Sequence, residues 1–294
     1  MKLLLLGGNG QVGRELRRSL APLGELLVAT REGAGTDLVA DFDVPLALAE
    51  LVRRVAPDVV VNAAAYTAVD RAETDVEAAF RVNASAPSAL ACACAREGSL
   101  LVHFSTDYVF DGSGTRPYRE DDPTAPLGVY GASKLAGEQA IRDSGARHAI
   151  LRTAWVYAAH GKNFLLTMLR LGAEREGVRV VADQVGAPTP AHWIADVTAE
   201  LVRQGSDASG TWHVTAAGQA SWHAFAKALF EEAHAAGLLA RLPGVEPITT
   251  KEYPTPARRP AYSVLDTGRL RADFGVEPPQ WREALRAVIA QLAV

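Results

Sequence analysis

The sequence predicts an α/β protein, a Rossmann-like doubly wound parallel sheet with a smaller C-terminal substrate-binding lobe, and three observations carry that expectation. Short apolar runs alternate along the first half of the chain with stretches long enough for crossover helices, as in a parallel sheet covered on both faces. The first run, Leu3-Leu4-Leu5-Leu6, leads straight into a glycine-rich turn and an amphipathic segment. Further on, Tyr130 and Lys134 stand four apart in a helical stretch, a spacing that puts both on one face.

The first strand is expected at Lys2–Leu6. Gly7, Gly10 and Gly13, in Gly7-Gly8-Asn9-Gly10-Gln11-Val12-Gly13, have the spacing of dinucleotide-binding turns. One glycine allows the tight turn, one lets backbone N–H groups approach a pyrophosphate, and one packs helix on strand. The second strand, Leu26-Leu27-Val28-Ala29, ends at Thr30-Arg31. An acidic residue here would bind the ribose hydroxyls of NAD, whereas an arginine pairs with a 2′-phosphate. Arg31 therefore points to NADPH, with NADH as the alternative; a solvated charge beside a turn at 32–35 is its competing reading. Asp41-Phe42 could hold adenine's exocyclic amine and lie against the base, and a buried helix start would look the same. The third strand, Val59-Val60-Val61-Asn62, runs into Ala63-Ala64-Ala65, which offers backbone to a ligand without bulk or is a plain small-residue turn.

Cys92 and Cys94 follow on an alanine-rich helix as packing residues, with neither disulfide nor zinc spacing. The fourth strand, Leu100-Leu101-Val102-His103-Phe104, ends at Ser105-Thr106-Asp107, and the fifth, Ala149-Ile150-Leu151-Arg152, at Thr153-Ala154-Trp155. Ligands of such sheets bind beyond the carboxyl ends of the strands. There the Thr106 hydroxyl can donate to a carbonyl oxygen that also receives a proton from Tyr130. A free phenol has a pKa of about 10, which a neighbouring ammonium such as that of Lys134 lowers. Asp107 could bind substrate hydroxyls or cap a turn. His103, inside an apolar strand, reads as a satisfied core residue.

After Tyr157 the regularity breaks down and prolines collect. Residues 1–157, with roughly 191–216, are expected to form the NADP-binding domain, and 158–190 with 217–294 the substrate-binding lobe. At 294 residues, 48% hydrophobic and 22% charged, the composition is that of an ordinary globular enzyme. The net charge of -4 gives no footprint for nucleic acid. No run is long enough for a membrane span or signal core, so a cytoplasmic location is expected. The seven histidines show no metal-ligand spacing, and no Gly-x-Ser-x-Gly elbow supports nucleophilic hydrolysis.

Taken together, Gly7 to Gly13, Val61 to Asp70, Ser105 to Gly112, Tyr130 to Lys134, Arg152-Thr153-Ala154-Trp155-Val156-Tyr157 and Tyr253-Pro254-Thr255-Pro256-Ala257 resemble the dTDP-4-dehydrorhamnose reductases. These are extended short-chain dehydrogenases/reductases, and the resemblance spans nearly the whole chain. It implies NADPH-dependent reduction of the 4-keto group of dTDP-6-deoxy-L-lyxo-4-hexulose to dTDP-L-rhamnose, the last step of dTDP-rhamnose biosynthesis, with no metal. It also implies catalytic roles for Tyr130, Lys134 and Thr106, with Lys134 tuning Tyr130 and holding the nicotinamide ribose. Cofactor contacts are implied at Gly10, Gln11, Val12, Asp41, Phe42, Ala63, Ala64, Ala65, Tyr130 and Lys134, and substrate contacts at Thr106, Asp107 and Trp155. The Trp155 indole suits an apolar sugar face or core packing.

The chain departs from the family at three places. Arg31 replaces an acid. Glu15 stands where some members use glutamates to bridge a dimer through magnesium, but His192 occupies the second position, so a homodimer is allowed and a metal-bridged one is not expected. Arg259 is kept while Tyr262 replaces an asparagine, and Arg259 could pair with the nucleotide diphosphate or form a surface ion pair. Two alternatives stand beside the reductase: an epimerase or dehydratase of the same superfamily, and a non-catalytic cofactor-binding regulatory subunit.

Overall fold

The leucine run at the N-terminus shows how the sheet is built. In β1 (Lys2–Leu6), Leu3 and Leu5 enter one hydrophobic core with Leu16 and Leu20. Leu4 and Leu6 enter another with Leu48 and Val52. Successive strand residues point to opposite faces, so a strand covered on both sides needs an unbroken apolar run rather than an alternating one. Fully burying each such leucine is worth roughly 1.5–3 kcal/mol.

The computed structural model describes residues 1–33, 36, 38–205 and 209–293; the turn expected at 32–35 lies partly outside them. Its central strands are β1, β2 (Glu25–Thr30), β3 (Leu38–Val39), β4 (Val59–Asn62), β5 (Leu100–Thr106), β6 (His148–Thr153) and β7 (Gly210–His213). They hydrogen-bond in the order β7-β6-β5-β4-β1-β2-β3, and every pair is parallel. The order reverses at β1, between β2 and β4, which puts the switch point beside the glycine turn. Helices α1 (Gln11–Leu20), α2 (Pro45–Val55), α3 (Ala86–Glu97) and α4 (Val129–Asp143) form the first crossovers. α2 and α3 pack on the face of Leu4 and Leu6, joined by Ile141 of α4, and α1 packs on the face of Leu3 and Leu5.

The second half is more regular than its prolines suggest. It holds α5 (Phe164–Glu174), α6 (Ala191–Gln204), α7 (Trp222–Ala235) and α8 (Trp281–Leu292). Residues Ile194, Ala195 and Leu201 of α6 cover the α1 side of the sheet, as do Leu270 and Phe274. α5, α7 and α8 instead share a separate core around Phe225, Phe230 and Leu285, beside a parallel strand pair, Gly177–Val181 with Gly244–Ile248. Two strands lacked an apolar run to betray them. β3 has two residues, and β7 reads Gly-Thr-Trp-His, its Trp212 buried against the α6 side. Among the described residues no helix is long and apolar enough to cross a membrane.

Candidate active site

At the glycine turn, sterics explain the residue choice. Gly7 has φ +79°, and a Cβ there would lie 2.7 Å from the Ala64 amide nitrogen, while one at Gly13 would lie 2.2 Å from the Gly7 carbonyl oxygen. Left-handed backbone favours glycine, and the contact at Gly13 presses α1 onto the turn. Gly10 caps α1 without a side-chain hydrogen bond, and no acid occupies the first turn. The amides of that turn are thus left for an anion. Val12 lies half-buried on the sheet core, and Gln11 accepts a hydrogen bond from Asn163 at 2.8 Å, reaching across to the start of α5.

A cleft of about 350 Å³ opens here between Gly7, Gly10, Arg31, Phe42, Ala64 and Ala65, a size suited to part of a dinucleotide. The Thr30 hydroxyl, buried at its wall, has no protein partner, the kind of orphan a ribose or water would satisfy. Phe42 is buried, while Asp41 accepts a hydrogen bond from the Asp43 amide at 3.0 Å. Arg31 is exposed, its ion pair among the described residues being with Asp43 at 3.9 Å, a weak surface pair that leaves the guanidinium available. Ala63 packs into the core of the α1 face and Ala64 into that of the α2 face. The Ala64 amide donates to Asn62 Oδ1 at 3.1 Å.

The other half of the site lies at the end of β5. Thr106 Oγ1 donates to Asp107 Oδ1 at 3.1 Å and accepts from the Tyr108 amide at 3.2 Å. Asp107 is buried with its Oδ2 unpartnered. Burial pushes its carboxyl up to about 6, against hydrogen bonds from Ser263 and Thr106 that hold it down. Tyr130 is the second residue of α4, whose first amide, Val129, donates to Glu73 at 2.9 Å. Two glycines let α4 press close: a Cβ at Gly131 would be 2.2 Å from the Tyr108 oxygen, and one at Gly137 2.1 Å from the Asn83 oxygen. The Tyr130 ring meets that of Tyr108 edge-on, with centroids 5.6 Å apart.

Asn83, which the sequence reading missed, sits in a π-helical turn at Arg81–Ser85. It accepts from the Tyr66 amide at 2.8 Å, donates to the Tyr66 oxygen at 3.0 Å, and reaches Ser133 Oγ on α4 at 3.0 Å. An asparagine inside an otherwise alanine-rich helical stretch was its only signal, and π-turns of this kind gather at functional sites.

Burial dominates the electrostatics of both Tyr130 and Lys134. Burial pushes the Tyr130 phenol up to about 12, with the Thr106 hydrogen bond pulling it down and Asp107 raising it. Lys134 Nζ donates to the Phe104 carbonyl at 2.6 Å and lies 3.2 Å from His103 Nε2. Burial brings the lysine down to about 8, with Glu138 working the other way. Spacing of i, i+4 put both residues on one face; the depth of the lysine's pocket decided where its nitrogen went.

Trp155 has φ +48°, rare for a bulky residue and characteristic of functional positions. Its indole stacks on Trp222 with centroids 3.5 Å apart and planes 4° from parallel, and Gly186 lies beneath it, where a Cβ would come within 2.5 Å. Arg259 forms the ion pair: NH2 donates to Asp70 at 2.8 Å and NH1 to the Ala257 carbonyl at 3.1 Å and to Thr255. The Ala257 amide also donates to Asp70, so the Val61–Asp70 and Tyr253–Ala257 motifs meet in space. Glu15 accepts from His160 Nε2 at 2.8 Å. Among the described residues no three His, Cys, Asp or Glu side chains gather as a metal site.

A family model described as RmlD substrate binding domain matches residues 1–294. A dTDP-4-dehydrorhamnose reductase of Burkholderia thailandensis is 50% identical over 301 residues, covering 99% of this chain and 99% of its own. Among solved structures, a dTDP-4-dehydrorhamnose reductase from Clostridium acetobutylicum superposes with a TM-score of 0.91 at 37% identity, covering 100% of both chains. Another, from Bacillus anthracis in complex with NADP, superposes with a TM-score of 0.91 at 34% identity, covering 99% of this chain and 100% of its own.

Proposed function

This chain belongs to the dTDP-4-dehydrorhamnose reductase family, and on that premise we propose that it reduces the 4-keto group of dTDP-4-dehydro-L-rhamnose to dTDP-L-rhamnose with NADPH. The observation that carries this reading is the position of Thr106 at the carboxyl end of β5, where it accepts from the amide of Tyr108, whose ring meets that of Tyr130 edge-on, so that hydroxyl and phenol can meet one carbonyl oxygen. The amides at the start of α1 would hold the pyrophosphate, Arg31 the 2′-phosphate, and Lys134 the nicotinamide ribose. NADPH, when bound, supplies the hydride. Turned from Asp107 to the substrate, the Thr106 hydroxyl would donate to the sugar's O4 and orient it, and Tyr130 would hand its proton to that oxygen as charge develops there. A phenol raised to about 12 stays protonated at neutral pH, the form a reduction needs. The free Asp107 Oδ2 would accept from a sugar hydroxyl, and Trp155, its ring stacked on Trp222, would border the sugar. We place the substrate lobe in 158–190 and 217–294 and the cofactor domain in the rest.

A superfamily dehydratase would carry an acidic pair beside the threonine, whereas here Tyr108 follows Asp107. The test is the fall of NADPH absorbance when purified protein meets dTDP-4-keto-6-deoxyglucose and a 3,5-epimerase, with NADH and no-epimerase controls. Epimerase-dependent oxidation yielding the rhamnose product is expected. Cofactor binding without oxidation would refute the reductase assignment and favour the regulatory subunit.

A further inference from the structure

Behind Lys134 lies a short chain of buried polar groups whose hydrogen-bond polarity can be worked out completely. Asn62, His103 and Lys134 are 1%, 1% and 2% exposed, so each buried donor and acceptor needs a partner. The Ala64 amide can only donate, and it donates to Asn62 Oδ1 at 3.1 Å. That fixes the carboxamide: Asn62 Nδ2 faces His103 Nδ1 at 3.0 Å. Because Nδ2 has no lone pair to offer, His103 Nδ1 must be the acceptor. A neutral imidazole then carries its hydrogen on Nε2, and Nε2 lies 3.2 Å from Lys134 Nζ. An ammonium has three donors and no acceptor, so it would meet that N–H donor to donor. A neutral amine resolves the conflict: its lone pair accepts from Nε2–H, one of its hydrogens goes to the Phe104 carbonyl at 2.6 Å, and one remains for a ligand.

We propose that His103 is a positioning residue which, with its tautomer fixed by Asn62, stabilises the neutral amine of Lys134 and so lowers the proton affinity of the lysine of the active site. The other groups around Lys134 agree. On α4 itself Glu138 favours the charged form, but its carboxylate is bound by Arg152 of β6 and by Arg142, both at 2.7 Å. Tyr130, also on α4, and Asp107, after β5, interact with Thr106, and the π turn offers the uncharged Asn83. Burial lowers Lys134 to about 8 and, with Lys134 itself, holds His103 well below its ordinary value, the direction the hydrogen bonds require.

The catalytic consequence rests on the reductase reading. After Tyr130 gives its proton to the sugar oxygen, a phenolate remains. A Lys134 that releases its proton readily can restore the phenol, directly or through a ligand hydroxyl, and end as the amine that His103 Nε2–H stabilises. Every proton is accounted for: one leaves Lys134, one arrives at Tyr130, and the lysine is recharged from solvent.

The test begins with purified protein without NADPH, using ¹⁵N correlation spectra of the histidine rings. His103 is expected in the Nε2–H form with Nδ1 bare, and ¹³Cε spectra should show Lys134 titrating at least a full pH unit below a free lysine. In Asn62→Asp the carboxylate can accept from both Ala64 and His103, so the ring should switch to Nδ1–H. Its Nε2 then accepts from the ammonium, and the Lys134 midpoint should rise at least tenfold in proton affinity, carrying the alkaline limb of the kcat profile with it. An Nδ1–H tautomer in the unaltered protein, or a switched tautomer with an unmoved Lys134 midpoint, would overturn the proposal. The tautomer of the unaltered protein needs no variant to fold. Absent keto-sugar turnover with the Nε2–H tautomer present would count against the reductase assignment and for the hydrogen-bond assignment.

Discussion

Replacing Asp107 by asparagine should make the protein more stable and bind its sugar nucleotide less well. The carboxyl is 2% exposed with one oxygen unpartnered, and burial moves it from 3.8 to about 6. Displacing a pKa that far disfavours the ionised form in the folded state by roughly 3 kcal/mol. The sign follows from linkage: an acid raised on folding costs nothing below its unfolded pKa. The cost grows between that value and the folded one, and stays constant above about pH 6. The amide keeps the shape and still accepts from Thr106, but it carries a desolvation cost of its own. We therefore expect a net gain of about 1–2 kcal/mol at pH 8, a rise in Tm of about 2–6 °C, falling to nearly zero at pH 5, where the carboxylate's cost is roughly halved while that of the amide is unchanged. Thermal melts at the two pH values measure this, and calorimetric titration with dTDP-L-rhamnose should show weaker binding by roughly tenfold, about 1.4 kcal/mol. A destabilised variant, or a gain that does not change with pH, would refute the reasoning that an ionised, strained carboxylate is kept at this position for a ligand.

Tyr130→Phe should lower kcat by roughly two or more orders of magnitude while the NADPH Kd by fluorescence titration stays nearly the same; lost cofactor binding at unchanged turnover per complex would remove the acid role. Arg31→Ala should weaken NADPH about tenfold and leave NADH almost unaffected, so equal losses for both would show that the guanidinium does not read the 2′-phosphate. Arg152 and Glu138 form a two-pronged ion pair at 2.9 and 2.7 Å, both buried. Arg152→Met should cost about 2–4 kcal/mol in urea unfolding, part of it recovered in the double variant with Glu138→Met, since the fully buried carboxylate is otherwise left with the more exposed Arg142 for its charge.

Much of the site was legible because its signals are local. The glycine spacing reports contacts within one strand–turn–helix unit, and the apolar runs of β1, β4 and β5 report burial on both faces. β7 was hidden because its Gly-Thr-Trp-His sequence becomes a strand only by pairing with β6, and β3 because two residues make no pattern. The helices of the C-terminal half were masked by the prolines between them. Asn83 escaped for a related reason: an asparagine in a helix is an ordinary residue until the chain folds around Tyr66 and Ser133.

By itself the sequence determined the parallel sheet, the phosphate-binding turn and the identity of the groups at the strand ends, because hydrophobic periodicity and glycine sterics act over a few residues. Only the tertiary structure decided that Lys134 reaches His103 and the Phe104 carbonyl, that Arg259 ties Asp70 to the Thr255–Ala257 loop, and that Asp107 is buried with an oxygen to spare. Those outcomes depend on depth of burial and on the direction of hydrogen bonds between segments tens to hundreds of residues apart. Such quantities exist only once the separate cores have closed against one another.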